Sequence, residues 1–269
     1  MKIGRCFNDF DGDIAVYKKL ADLGYEYLEV PLYAAAEFKR ERLAKIKETA
    51  FCAEVPITSS NMFFPGSLAL LGDGFNKKAV LEYTKKALQA AAFLGIKTAV
   101  LGSGGVRRKP DDMPQDEAAE KLALIFKKVA EIAEKHEIVI ALEPLNSDES
   151  NTITSCREGM EMIERVNHPN FKFLLDLYHM HKSGETAEDI ISVAPVLRHC
   201  HIAAVPDRGF PSQERFDCYA GFLETLRNIR YTGDVTVESS FDGEAEANGV
   251  WHIRRWAENS GQWLVDSGQ

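Results

Sequence analysis

The chain has 269 residues, 32 Lys and Arg against 41 Asp and Glu, a formal net charge of −9, and a 45% apolar fraction that can supply a large core. That acidic balance excludes affinity built on neutralising phosphates, because the densest basic run is only Arg107-Arg108-Lys109. No run approaches the ~18 apolar residues of a membrane span, and the opening Met1-Lys2-Ile3-Gly4-Arg5-Cys6 lacks the apolar stretch of a signal peptide.

An apolar run at residues 2–7 predicts a first strand, and a weak apolar stripe over 14–23 predicts a helix closed by Gly24. A second strand is expected at 25–31, a helix over 38–46 and a third strand at 53–60. Val80, Tyr83, Thr84, Ala87, Leu88, Ala91 and Leu94 recur at spacings of three and four, which puts one apolar stripe on a helix ending at Gly95. Strand four is expected at 98–102, followed by a second strong stripe through Ala118, Leu122, Ile125, Phe126, Val129 and Ile132. Strand five is expected at 138–144, a helix over 160–166 closed by Asn167, and strand six at 171–176. A helix over 187–193 leads to strand seven at 199–203. Tyr219, Phe222, Leu223, Leu226 and Ile229 form another stripe running toward Gly233, with strand eight at 234–239 and a last helix over 253–264.

Eight strand-then-helix units with no shift in composition predict one α/β domain over 1–269, a single (β/α)8 TIM barrel. A doubly wound sheet would need a Gly-rich turn after its first strand, where this chain has Cys6-Phe7-Asn8-Asp9. Five scattered Cys without a C-x-x-C pair argue against a disulfide framework or structural zinc. A cytoplasmic protein with no membrane or nucleic-acid partner is therefore expected.

In such a barrel the ends of the strands carry the chemistry. Strand five closes on Glu143, strand six on Asp176, strand seven carries His201 and strand eight closes on Glu238. Four consecutive strands delivering acid or imidazole to one mouth would be costly without a compensating positive charge. A divalent cation supplies it. Three carboxylates and one imidazole suit Mn²⁺, Mg²⁺ or Co²⁺, with Mn²⁺ the first choice; for Zn²⁺ the set is rich in oxygen.

Further residues gather in the neighbouring loops. Glu149 follows strand five and Arg208 follows strand seven, each placed to bond a substrate oxygen. His179 lies three residues after Asp176, so the chain must turn for both to face the mouth. Leu101-Gly102-Ser103-Gly104-Gly105 does not match the phosphate-binding G-x-x-x-x-G-K-[ST] pattern and reads as a loop that lets substrate approach closely. Ser60-Asn61 can offer polar groups, and Phe7, Phe63, Phe64, Trp251 and Trp256 are candidates for pocket walls, Trp256 more as core.

Glu143-Pro144-Leu145-Asn146, Leu175-Asp176-Leu177-Tyr178-His179, His199-Cys200-His201, Arg208-Gly209 and Glu238-Ser239 together resemble the xylose-isomerase-like barrel superfamily. Within it, the chain looks most like the sugar phosphate isomerase/epimerase group that includes ketose 3-epimerases and hydroxypyruvate isomerases. The resemblance implies a divalent-metal-dependent enzyme that moves the proton α to the carbonyl of a sugar or keto acid, through an enediolate. It implies Glu143, Asp176, His201 and Glu238 as ligands of one ion, Glu143 and Glu238 also as the acid/base pair, and Glu149, His179 and Arg208 as substrate-binding residues. One departure is visible: Ala204-Val205-Pro206-Asp207 separates Ile202-Ala203 from Arg208, one residue more than in the ketose epimerases. A keto-polyol dehydratase of the inosose type is the alternative on the same barrel. Apurinic endonucleases share the barrel too, but they carry a His-rich zinc site and a basic face, and this chain has seven His and a charge of −9. A sugar-binding protein on a retired barrel would have lost a mouth carboxylate, and none is missing. Many such barrels pair through surface helices, so a homodimer or homotetramer is expected.

Overall fold

Strands buried on both faces need apolar residues at nearly every position. Every residue of Tyr27–Pro31 and Thr98–Leu101 is buried, which is why these segments read as apolar runs without alternation. The computed structural model describes residues 1–8, 10–240 and 243–258. Its strands are β1 (Ile3–Cys6), β2 (Tyr27–Pro31), β3 (Ile57–Asn61), β4 (Thr98–Leu101), β5 (Val139–Leu142), β6 (Phe171–Asp176), β7 (Leu197–Ile202) and β8 (Asp234–Val237). They pair in parallel in chain order, and β8 closes onto β1 at Ile3–Val235, Gly4–Thr236 and Arg5–Val237. The expected (β/α)8 barrel is the observed one.

The helices are α1 (Ile14–Asp22), α2 (Leu32–Ala35), α3 (Arg40–Cys52), α4 (Lys77–Leu94), α5 (Gln115–Glu134), α6 (Cys156–Val166), α7 (Leu177–Ser183), α8 (Ala187–Val193), α9 (Ala220–Asn228) and α10 (Gly243–Glu258). Helix α4 shows how the sequence fixes them. The Asn76 side chain accepts from the Ala79 N–H at its start, and Gly95 ends it with a φ of +101°. Between those caps the stripe through Val80, Ala87, Leu88 and Leu94 packs against the core, each large side chain contributing about 1.5–3 kcal/mol.

Several sequence expectations need correction. The third strand starts at Ile57, not at 53, because α3 continues to Cys52 and the chain reverses through Glu54 at a φ of +58°. Helix α3 is correspondingly longer than 38–46. Helices α2 and α7 were not expected at all; both are short and start directly on a strand end. Gly233 does not close α9, which ends at Asn228; a Cβ there would lie 2.3 Å from the Tyr231 hydroxyl and 2.8 Å from the Arg198 carbonyl oxygen. Space, not helix termination, demands glycine at that position. Within the basic run Arg107-Arg108-Lys109, Arg107 is completely buried, a placement its sequence context did not indicate. The last helix expected over 253–264 is observed to Glu258, and the remainder of that expectation lies outside the described residues.

Candidate active site

The barrel places its ionisable groups at one end by register. Asp176, the last residue of β6, pairs directly with His201 of β7. Ile202 pairs with Val237, so Glu238 emerges one step beyond, and Glu143 follows Leu142 at the end of β5. Glu143, Asp176, His201 and Glu238 each bring one ligand atom within 4.8 Å of all the others. His201 Nδ1 lies 3.3 Å from Glu143 Oε1, 3.7 Å from Asp176 Oδ2 and 3.2 Å from Glu238 Oε2. The group predicted from four separate strand ends is one cluster.

Its electrostatics follow from burial. Burial pushes the Glu143 carboxyl up, partly offset by His201. Burial acts the same way on Glu238, but there His201 and Arg208 outweigh it and hold the carboxylate below its ordinary range. Asp176 is also held low, against burial, by His179, His201 and Arg208. For His201 burial opposes a charge, and the carboxylates of Glu29 and Glu238 override it, raising the pKa well above the ordinary imidazole value. Three acids around one imidazole face are a donor set that fits a divalent cation, which would be held by Glu143, Asp176, Glu238 and His201 Nδ1.

The three predicted substrate-contact residues ring this cluster. Asp176 caps α7 by accepting from the His179 N–H at 3.0 Å, which is the turn that brings His179 back over the mouth. The Asn146 backbone N–H lies 3.3 Å from His179 Nδ1 and its side-chain amide 2.8 Å. A backbone N–H can only donate, so Nδ1 accepts and Nε2, 4.0 Å from Glu143 Oε1, carries the ring proton. Arg208 donates to Glu238 Oε2 at 2.6 Å, approaches Asp176 at 3.6 Å and Glu149 at 3.7 Å, and lies over the Tyr178 ring. It sits in a loop closed by hydrogen bonds between Ala204 and Gly209, at a φ of +55°. A non-Gly residue in that conformation costs about 1–3 kcal/mol, so the surrounding contacts must fix this arginine over the cluster.

A cavity of about 410 Å³ opens above these groups, with Glu143, Glu238, Glu149, His179 and Arg208 in its wall. The Gly-rich loop lines the same cavity, for reasons the sequence did not show. A Cβ on Gly102 would lie 1.8 Å from Glu143 Oε2, and one on Gly104 would lie 2.6 Å from Leu145 Cδ1 and 2.7 Å from the Glu149 carbonyl oxygen. Ser103 is spent locally, its hydroxyl accepting from the Phe64 N–H. Asn61 donates to Glu238 Oε1 at 3.4 Å, and Phe64 and Met62 complete one side. Phe63 is core, Phe7 lines a neighbouring cavity, Trp251 is half exposed and Trp256 packs against the core.

Sequence reading missed three buried residues that hold the site. Arg107 donates to the carbonyls of Leu101, Glu143 and Ile153; burial pulls its pKa down to about 10, so it stays charged at neutral pH. Arg5 donates to the carbonyls of Val237 and Ser239, on either side of Glu238, and pairs with Glu246 at 3.1 Å. Glu29 accepts from His201 Nε2 at 2.7 Å behind the cluster. For Arg5 and Glu29 the signal was a charged residue inside an otherwise apolar stretch, because such a group must find partners when buried; Arg107, in a Gly-rich basic loop, gave none.

Residues 17–264 match the model of the xylose isomerase-like TIM barrel family. The chain is 34% identical over 128 residues to a probable ketose 3-epimerase of Synechocystis sp., an alignment covering 46% of this chain and 44% of that protein. The chain thus spans about half the length of that relative. It is 27% identical over 228 residues to the D-psicose 3-epimerase of Agrobacterium fabrum, covering 82% of this chain and 77% of the relative. Among solved structures, the 3-keto-D-glucoside 4-epimerase of E. coli superposes with a TM-score of 0.80 at 18% identity, over 95% of this chain and 99% of that one. The last likeness is one of fold. The curated relatives named here are epimerases, and none supports the dehydratase alternative. Among the described residues no helix is long and apolar enough to cross a membrane.

Proposed function

The chain belongs to the xylose isomerase-like TIM barrel family, and from that premise we propose that it is a divalent-metal-dependent epimerase or isomerase of a small ketose or related keto acid. One observation carries the reading: Glu143 and Glu238, both in the wall of one cavity, converge with Asp176 on a single imidazole nitrogen. A divalent ion bound there, Mn²⁺ by preference, supplies Lewis acidity to adjacent carbonyl and hydroxyl oxygens and so lowers the barrier to losing the neighbouring proton.

The protein's own groups do the rest. One of the two glutamates removes the proton α to the carbonyl, and the same or the other glutamate returns one. Return to the same carbon from the opposite face inverts it; return to the neighbouring carbon exchanges aldose and ketose. His179, donating through Nε2, and Arg208 orient substrate oxygens, and Glu149 accepts from a hydroxyl. Arg208 also holds Glu238 in place at 2.6 Å before substrate arrives.

The test is solvent-deuterium exchange into a panel of ketoses and hydroxypyruvate with Mn²⁺ added, for wild type, Glu143→Gln and Glu238→Gln. Wild type should incorporate deuterium into at least one compound without loss of mass as water. Each variant should fold normally and lose about 10²–10⁴-fold in rate. Near-normal exchange in both variants contradicts the assignment.

A further inference from the structure

Glu29 stands behind the cavity, on β2, with its side chain completely buried. Its Oε1 lies 2.7 Å from His201 Nε2. Its Oε2 lies 2.7 Å from His199 Nε2, 2.6 Å from Ser59 Oγ and 2.9 Å from Thr236 Oγ1. The Cys6 thiol approaches Oε1 at 3.6 Å. A carboxylate can only accept, so each of these atoms donates its proton to Glu29. Thr236, having given its proton there, accepts from the Tyr27 hydroxyl at 2.8 Å. Among the described residues, donors from β1, β2's neighbour β3, β7 and β8 therefore converge on one carboxylate with about four lone-pair positions.

Two consequences follow. Glu29 has no lone pair free for a cation, and burial beside Glu29 and Glu238 keeps the Cys6 thiol protonated. The nearby trio of Cys6, Glu29 and His201 is therefore a hydrogen-bonded assembly and not a second metal site. Second, Glu29 takes up the Nε2 proton of His201 in a hydrogen bond, which leaves Nδ1 as the ring atom facing Glu143, Asp176 and Glu238, where a cation would replace its proton. We infer that Glu29 is a positioning residue: it sets the tautomer and plane of His201, and its charge makes Nδ1 a stronger donor to a divalent cation. The inference rests on the reading of the cluster as a metal site. A carboxylate behind a metal-binding imidazole acts in this way generally, and its loss weakens metal binding by about 10–100-fold.

The two histidine N–H groups, one on each oxygen, make the arrangement favour a carboxylate. A Gln at position 29 would offer one oxygen and one N–H₂ group and no charge, and whichever way it lay, its amide would face the Nε2 of His199 or of His201. The test therefore uses Glu29→Gln, with Glu29→Asp as the variant that keeps the charge but shortens the reach. Chelator-stripped wild type and variants are titrated with Mn²⁺ by calorimetry, and the visible spectrum of the Co²⁺ form is recorded. Folded Glu29→Gln should bind Mn²⁺ about 10–100-fold more weakly, with a shifted Co²⁺ spectrum and Glu29→Asp between it and wild type. Wild-type affinity and an unchanged spectrum in folded Glu29→Gln overturn the inference while leaving the metal site standing. Wild type that binds neither ion overturns the underlying reading as well. Should the variants fail to fold, the proton spectrum of Zn²⁺-loaded wild type decides: a His201 Nε2–H resonance shifted far downfield and protected from exchange supports the bond to Glu29, and an ordinary, rapidly exchanging one overturns it.

Discussion

Gly102 ties one residue type directly to the proposed chemistry. Its φ is not positive, so conformational freedom does not explain it; the Glu143 carboxylate simply occupies the space where a Cβ would go, 1.8 Å from Oε2. The neighbour that would have to move is the group proposed to transfer the proton. Gly102→Ala should therefore leave the unfolding midpoint within experimental error of wild type while lowering kcat by about 10²-fold, the cost of a displacement near 1 Å at a reacting group. Steady-state rates alongside urea unfolding check this, and an alanine variant with wild-type kcat would contradict the placement of Glu143. At this scale the sequence was legible where a charge ended a strand. Glu143, Asp176 and Glu238 stood out at the ends of apolar runs, and His201 as one of two imidazoles within a strand. Glu29 did not, because it lies within the run 25–31 and looks like any single acid near a strand end; its role depends on Ser59, His199, His201 and Thr236, which lie 30 to 207 residues away.

Elements are fixed by packing as much as by local pattern, and the site depends on that. Arg107 ties β4 to the segments after β5 through three carbonyls, and Arg5 ties β1 to both peptides flanking Glu238. Two buried guanidinium groups thus clamp the main chain at the two proposed acid/base residues, one each. Arg107→Met keeps the bulk and removes the donors. It should destabilise the fold by at least about 1–3 kcal/mol, the cost of one buried acceptor left unpaired, and should reduce activity in the folded fraction. Denaturant unfolding measures the first; an unchanged midpoint would mean that the clamp holds nothing. Strand positions were legible because burial on both faces makes apolar runs. Helix α3 was underestimated because Phe51 is largely exposed and Cys52 exposed, so its last turn breaks the apolar stripe. Helices α2 and α7 are too short to show a period of 3.6 residues at all. The turn required to bring His179 to the mouth pointed to the site of α7, though not to a helix there.

For the whole molecule, closure of the sheet matters most. Only a closed barrel in chain order brings residues 143, 176, 201 and 238 to one mouth while β1 and β2 supply Arg5 and Glu29 from behind. The alternation of strand and helix along the sequence carried that architecture, and the family resemblance carried the reading of the mouth. The net charge of −9 and the buried Arg107 agree with a small-molecule substrate over a polyanion. The claim on which everything else depends is that four side chains from consecutive strands hold one divalent ion. Anomalous diffraction from crystals soaked in Mn²⁺, recorded at the manganese edge, tests it directly. The account predicts one strong peak per chain, within about 2.0–2.6 Å of oxygens of Glu143, Asp176 and Glu238 and of His201 Nδ1. A site with no peak, or a peak bound elsewhere while those four groups stay apart from it, would contradict the account.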